Sequence, residues 1–203
     1  MKFTNAYSEK TKNSANVIYK DDNGRFYKYS GGTPAWRNNN PGNIIQSPFA
    51  NANGAIGNSQ GFAVFPDPET GKQALHDLLL DDKYQKLSIG AAITAYAPPH
   101  ENNTEAYKKF VQNETGLPLD TSMKGLSEGN LQRVMNAIMK IEGTKPGKVE
   151  ALPHDAKFIW HTVGDEKVRP EHEEKDGEIF CWCTADELPG DGFNCRCYAE
   201  EYQ

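Results

Sequence analysis

Between Gly31 and Gly61 the chain runs GGTPAWRNNNPGNIIQSPFANANGAIGNSQG, a stretch too rich in glycine, asparagine and proline for a long helix or an inner strand. Glycine and asparagine accept positive φ, and proline removes a ladder donor. A featureless loop of this length is uncommon inside a folded domain, so the stretch is expected to be a structured lobe with a function. It also divides the chain into two patterns. Upstream, NVIYKDDNGRFYKYS places two short β-prone runs around Asp22-Asn23-Gly24, the pattern of a hairpin.

Downstream the period becomes helical. Asp67-Pro68-Glu69 supplies an N-cap, a first-turn proline and a first-turn acid, and Gly71, Ala74, Leu75, Leu78 and Leu79 follow on one face. Shorter helices are expected from Ser88 to Tyr96, stopped by Pro98-Pro99, and from Thr104 to Asn113. A longer one runs from Glu128 to Glu142, with Leu131, Val134, Met135 and Ile138 on its apolar face. The breaker-rich GTKPGKVEALPHD follows, and the remaining residues carry all four cysteines and two β-prone runs, FIWHTV and EIFCWC. These shifts divide the chain into an amino-terminal extension with a hairpin (1–35), a helical domain (36–145) and a Cys-rich module (146–203).

Charge and hydropathy remove several classes of function. The 22 basic residues are scattered among 28 acidic ones, for a net charge of −6, which leaves no cluster to neutralise nucleic-acid phosphates. No run approaches the roughly 20 apolar residues of a membrane span. The amino-terminal MKFTNAYSEKTKNSANV has no apolar core of a secretory leader, so a target outside the cytoplasm would need another delivery route.

Glu142 is the first candidate for chemistry. A glycosidic bond is broken by a carboxyl group that still holds its proton near neutral pH, a state favoured by partial burial and by the negative end of a helix. The end of an apolar helical face offers both, although the same position also suits a carboxylate in solvent past the last turn. Glu69, in a first turn where the dipole favours the anion, is the candidate second carboxylate, acting as base or electrostatic partner, or simply a helix-end stabiliser. Arg37, Asn38, Asn40 and Asn43, in RNNNPGN, carry donors and acceptors suited to sugar hydroxyls and N-acetyl groups, and equally suited to tight turns. Tyr96 and Trp36 could stack on sugar faces or simply pack. Glu101, in PPHENNT, is a further substrate-binding candidate.

Taken together, AWRNNNPGNI, GFAVFPDPETGKQAL, ITAYAPPHENNTEAYKKFV and MNAIMKIEG resemble, in order, a family of phage and bacterial lysozyme-like proteins. The resemblance implies muramidase or lytic transglycosylase activity on peptidoglycan, with Glu142 as the acid. It also implies an α+β, mainly α fold: a lysozyme-like helical domain with a small Cys-rich β-containing module. Because the Glu-terminated helix comes last here, a circular permutation is expected. Family members often read Glu-Ser-Gly or Glu-Asn-Gly where this chain has Glu142-Gly143-Thr144. IYKDDNGRFYKYSGG also looks like the Tyr-Lys-Asp hairpin of phage lysozymes, which adds Asp21 and Asp22 as distant candidates.

Cys181-Trp182-Cys183 and Cys195-Arg196-Cys197, with His161 and His172 nearby in sequence, could hold a structural zinc through four thiolates. Two disulfides, or free thiols, are the alternatives. FIWHTVGDEKVRPEHEEKDG with PGDGFNCRC resembles the carboxyl-terminal motif of Mu F-like phage minor head proteins, implying phage ancestry or an attachment module.

The expectation is therefore a monomeric peptidoglycan hydrolase needing no catalytic cofactor. It would be a phage-derived lysin or an antibacterial toxin delivered to the periplasm by a virion or a type VI secretion system, with an immunity protein as partner in the second case. A zinc-dependent amidase or peptidase built on the tail, and a non-catalytic phage structural or glycan-binding protein, remain the alternatives.

Overall fold

The computed structural model describes residues 2–12, 14–100, 103–191 and 195–202. Its amino-terminal part is a three-stranded meander of β1 (Phe3–Lys10), β2 (Ala15–Asp21) and β3 (Phe26–Ser30). The hairpin expected around Asp22-Asn23-Gly24 joins β2 to β3. Asp21 Oδ1 accepts from the Asn23 and Arg25 backbone amides at 2.9 and 2.8 Å, and Gly24 takes the positive φ of 76° that the turn requires. Burial works to raise the Asp21 carboxyl, but these bonds outweigh it and hold the group below the usual carboxylate range. That makes Asp21 a turn brace, with both bonded amides in its own hairpin.

The chain then enters its helical region: α1 (Pro34–Arg37), α2 (Pro48–Ala52), a ribbon of β4 (Gly57–Ser59) and β5 (Phe62–Val64), then α3 (Pro68–Leu80), α4 (Asp82–Gln85), α5 (Ile89–Tyr96), α6 (Thr104–Thr115) and α7 (Glu128–Glu142). Asp67, Ser88 and Ser127 cap α3, α5 and α7, each side chain accepting a backbone amide of the first turn. One core collects Phe65, Leu75, Leu79, Ile89, Ile93, Val111, Met135 and Ile138 from these elements. The chain returns as β6 (Lys148–Ala151), β7 (Lys157–His161), the short α8 (Pro170–Glu173), β8 (Ile179–Cys181) and β9 (Tyr198–Glu201).

The two ends of the chain share one seven-stranded sheet, in the order β6-β3-β2-β1-β9-β7-β8. The amino-terminal extension and the Cys-rich module, read as separate units from the sequence, are thus halves of a single layer, with the helical region inserted between β3 and β6. All pairings are antiparallel except β1 with β9, which is parallel through Glu9↔Ala199 and Lys10↔Glu200. Alternation splits the neighbours Ala6/Tyr7 and Val17/Ile18 between two faces. Tyr7 and Ile18 join Phe26, Phe158, Trp160, Trp182 and Leu188 on one, while Ala6, Val17 and Tyr19 meet Val64 of β5 on the other.

The expected mainly α, lysozyme-like fold is therefore overturned. Helices account for 33% of the chain and strands for 23%, with a mixed sheet running through both ends. Local periodicity located the amphipathic helices and the β2–β3 hairpin, but the sheet is completed by β3–β6, β1–β9 and β7–β9 pairings between strands far apart in sequence, and local period carries no record of those.

A polar clamp crosses this sheet. Glu9, only 1% exposed, accepts from Asn16 Nδ2 at 2.8 Å and pairs with Lys28 Nζ at 2.9 Å, and Lys28 also reaches Glu201 at 2.8 Å. One ammonium on β3 thereby spans β2 to hold carboxylates on β1 and β9. Among the described residues no helix is long and apolar enough to cross a membrane.

Candidate active site

The asparagine run is folded by its own amides. Asn40, fully buried, donates from Nδ2 to the Ile44 and Ala63 carbonyls, both at 2.9 Å, and accepts from the Ile44 amide at 2.8 Å. Asn39 Nδ2 donates to the Phe65 carbonyl at 3.2 Å, and the Asn38 carbonyl accepts from the Phe65 amide at 2.9 Å. Arg37 is turned inward, its Nη1 donating to the Gly31 and Gly32 carbonyls at 2.7 and 2.9 Å. The Tyr19 hydroxyl donates to the Arg37 carbonyl at 2.7 Å, which fastens this turn to the sheet. Of the expected sugar-binding set, Arg37, Asn38 and Asn40 are thus buried parts of the loop's architecture and present no side chain to a ligand. Gly71 explains how α3 packs so close: a Cβ there would stand 2.0 Å from the Asn39 carbonyl oxygen.

Asn43 is used differently. Held at a φ of 48°, it sends Nδ2 to Glu142 Oε2 at 2.8 Å. The Tyr107 hydroxyl of α6 donates to Glu142 Oε1, also at 2.8 Å. Each oxygen of the half-buried carboxyl group at the end of α7 is therefore held from a different segment, 99 residues away for Asn43 and 35 for Tyr107. Burial, followed by the neighbouring Glu142 charge, pushes the Tyr107 phenol far above its ordinary value, so it remains a donor at any working pH. Tyr96 stands next to this group. Its hydroxyl donates to the Gly42 carbonyl, and burial, then Glu142, raise its phenol as well.

The other candidates fall elsewhere. Glu69 is exposed in the first turn of α3, where a carboxylate stabilises the helix end. Glu101 lies outside the described residues. Trp36 packs against Tyr29 with ring centroids 5.2 Å apart, and both help line a groove of about 380 Å³ with Asn39, Pro41, Pro66 and Thr144, the last two residues beyond Glu142. Tyr107 was legible only as an apolar-face residue of its helix. A tyrosine among aliphatic core positions needs a partner for its hydroxyl, and that was the available signal.

The four cysteines do not meet. Cys181 pairs with Lys157 at the start of β7, whereas Tyr198, next to Cys197, pairs with His161 at its end, four residues or about 13 Å along the strand. The expected ligand set of Cys181, Cys183, Cys195 and Cys197 is split by that spacing, and a disulfide between the two pairs is excluded on the same ground. Cys181 and Cys183 lie near His154, at 3.3 Å from its carbonyl and 3.6 Å from its Nδ1 respectively, while Cys195 and Cys197 face His172. His161 is occupied with Glu200 and Asp176 at 2.7 and 3.5 Å.

No solved structure matches the chain. An uncharacterized protein of Haemophilus influenzae is 50% identical over 44 residues, 20% of this chain and 10% of that protein, so the match spans a tenth of the relative's length. Residues 119–200 match the family model described as phage Mu protein F like protein, which ties the segment from before α7 to β9 to phage proteins.

Proposed function

We propose that the chain cleaves the glycan strands of peptidoglycan, with Glu142 as proton donor. The reading is carried by the convergence of Asn43 and Tyr107 on the two oxygens of one half-buried carboxyl group at the end of α7. Glu142 gives its proton to the glycosidic oxygen as the C1–O bond breaks. The electron-poor sugar then takes water, leaving a reducing end, or its own hydroxyl, leaving an anhydro end, and the proton lost from that oxygen returns to the Glu142 carboxylate. Asn43 serves both protonation states. In this structure its Nδ2 donates to Glu142; turned by half a rotation, its Oδ1, which is buried and has no partner among the described residues, would face the carboxyl group as an acceptor. Tyr107 orients the carboxyl group without competing for its proton.

Incubation with purified sacculi tests this. Soluble muropeptides ending in reducing or anhydro sugars are expected, with release falling by about 100-fold or more in Glu142→Gln and more modestly in Tyr107→Phe. Undiminished release in Glu142→Gln would remove Glu142 as the acid, and freed stem peptides would point to an amidase instead. The match of residues 119–200 to a phage head-protein family favours a second reading, a virion component that binds without cutting. It expects retention on sacculi or capsid protein with no soluble product.

A further inference from the structure

The carboxyl-terminal module holds a second cluster that the glycan-cleaving reading does not use. His172, in α8 and only 2% exposed, points Nδ1 between two sulfurs, 3.3 Å from Cys197 Sγ and 3.6 Å from Cys195 Sγ, and the three atoms all lie within 4.8 Å of one another. Its other nitrogen, Nε2, is 3.0 Å from Glu187 Oε1, and the second oxygen of Glu187 takes Lys175 Nζ at 2.7 Å. A carboxylate on Nε2 fixes the proton there and leaves Nδ1 as a bare lone pair. One lone pair can accept one thiol proton, yet two sulfurs converge on it. A simple His–Cys hydrogen bond engages one sulfur and leaves the other to bond its neighbouring thiol.

A cation shared by all three atoms explains both. With metal–sulfur and metal–nitrogen bonds of about 2.3 and 2.1 Å, a tetrahedron places nitrogen and sulfur about 3.6 Å apart, close to the 3.3 and 3.6 Å found here. The supports are those of a held site. Arg196, between the two thiols, is clamped in a fork by Asp165 at 2.6 and 2.7 Å, and Trp160 stands edge-on to the imidazole with centroids 5.4 Å apart. The Cys181/Cys183 pair lacks this geometry, its sulfurs lying 2.7 Å apart, well inside the roughly 3.8 Å edge that two thiolates on one zinc span. We propose that His172 Nδ1 and the Cys195 and Cys197 thiolates bind one zinc ion, with Glu187 orienting the imidazole. The fourth position faces a cavity of about 160 Å³ bordered by Val163, Lys167 and Val168, and is filled by water. Binding releases the two thiol protons. The ion ties α8 to the start of β9.

Titrating the reduced full chain with cobalt(II) is the direct test. One equivalent should bind with a thiolate-to-cobalt charge-transfer band, and zinc should displace it. The band should vanish in Cys195→Ser and Cys197→Ser and persist in Cys181→Ser, and affinity should fall about 10- to 100-fold in Glu187→Gln. Since loss of a thiol can unfold a small module, the unaltered chain gives a second measurement: zinc should protect Cys195 and Cys197 from alkylation and leave Cys181 and Cys183 reactive. No cobalt band in the unaltered chain, a band that survives in Cys195→Ser, a band lost in Cys181→Ser, or equal labelling of all four thiols with and without zinc would overturn the proposal.

Discussion

The helical region and the sheet are built to opposite plans. Residues 34–142 form the former from one stretch of sequence, its capped helices closing on a core drawn from within that stretch. The sheet draws on both ends of the chain, and its clamp joins Lys28 to Glu201 across 173 residues. Short-range closure costs little chain entropy, whereas each long-range pairing must first close a large loop. The two regions should therefore fail in different ways when perturbed.

The largest effect is expected where the sheet depends on a single charge. Lys28→Met leaves Glu9 buried without its cation and should cost about 3–5 kcal/mol, read as a lower urea midpoint by tryptophan fluorescence. Glu9→Gln combined with Lys28→Met should recover much of the loss. An unchanged midpoint in Lys28→Met would mean that the carboxylate is not held by the ammonium.

Gly57 sits where the two regions touch. A Cβ there would stand 2.1 Å from the Ala6 carbonyl oxygen, between β4 and β1. Gly57→Ala should cost about 1–3 kcal/mol and lower the stability of both regions together. If far-ultraviolet dichroism and tryptophan fluorescence shift by different amounts, the contact does not couple them.

Two smaller perturbations should stay within the helices. Asp67→Ala removes the cap of α3, whose carboxylate accepts from the Thr70 amide at 2.8 Å, and should cost about 1 kcal/mol in the helical transition alone. His76 on α3 bonds Asp77 at 3.0 Å and faces Glu128 of α7 at 3.5 Å, and chiefly the Asp77 bond, with help from Glu128, raises its imidazole. A raised folded value means the stabilisation is complete below about pH 6.5 and is lost as pH climbs through the folded pKa. The increment should stay under about 1 kcal/mol for so exposed a pair, and His76→Gln should abolish this part of the pH dependence of Tm.

The same contrast governs what the sequence discloses. Asp67 announces its helix because a cap acts on amides two or three residues away, and the end of α7 at Glu142 follows from a repeat of apolar side chains. The partners of Glu142 are less visible. Asn43 follows an asparagine run in which the Asn39 and Asn40 amides are spent on backbone carbonyls, and composition alone does not distinguish the one amide that reaches a carboxyl group. The pairing of β1 with β9 was beyond reach, since Glu9 and Ala199 carry no local mark of one another. The cysteines show the same limit: their spacing left one shared zinc site, two disulfides or free thiols open, but β7 separates the pairs, and Glu187 becomes relevant only through the folded position of His172.

The position of β9 has a consequence during synthesis. It lies between β1 and β7, so the two halves of the layer meet only through it. While the ribosome still holds residues 198–201, β1 and β7 each present an open backbone edge that can pair with another nascent chain, even though residues 34–142 have already emerged and can close their core. Slow translation of residues 162–201, or a shortage of chaperone at that moment, should therefore send the protein into aggregates whose helical part is already native.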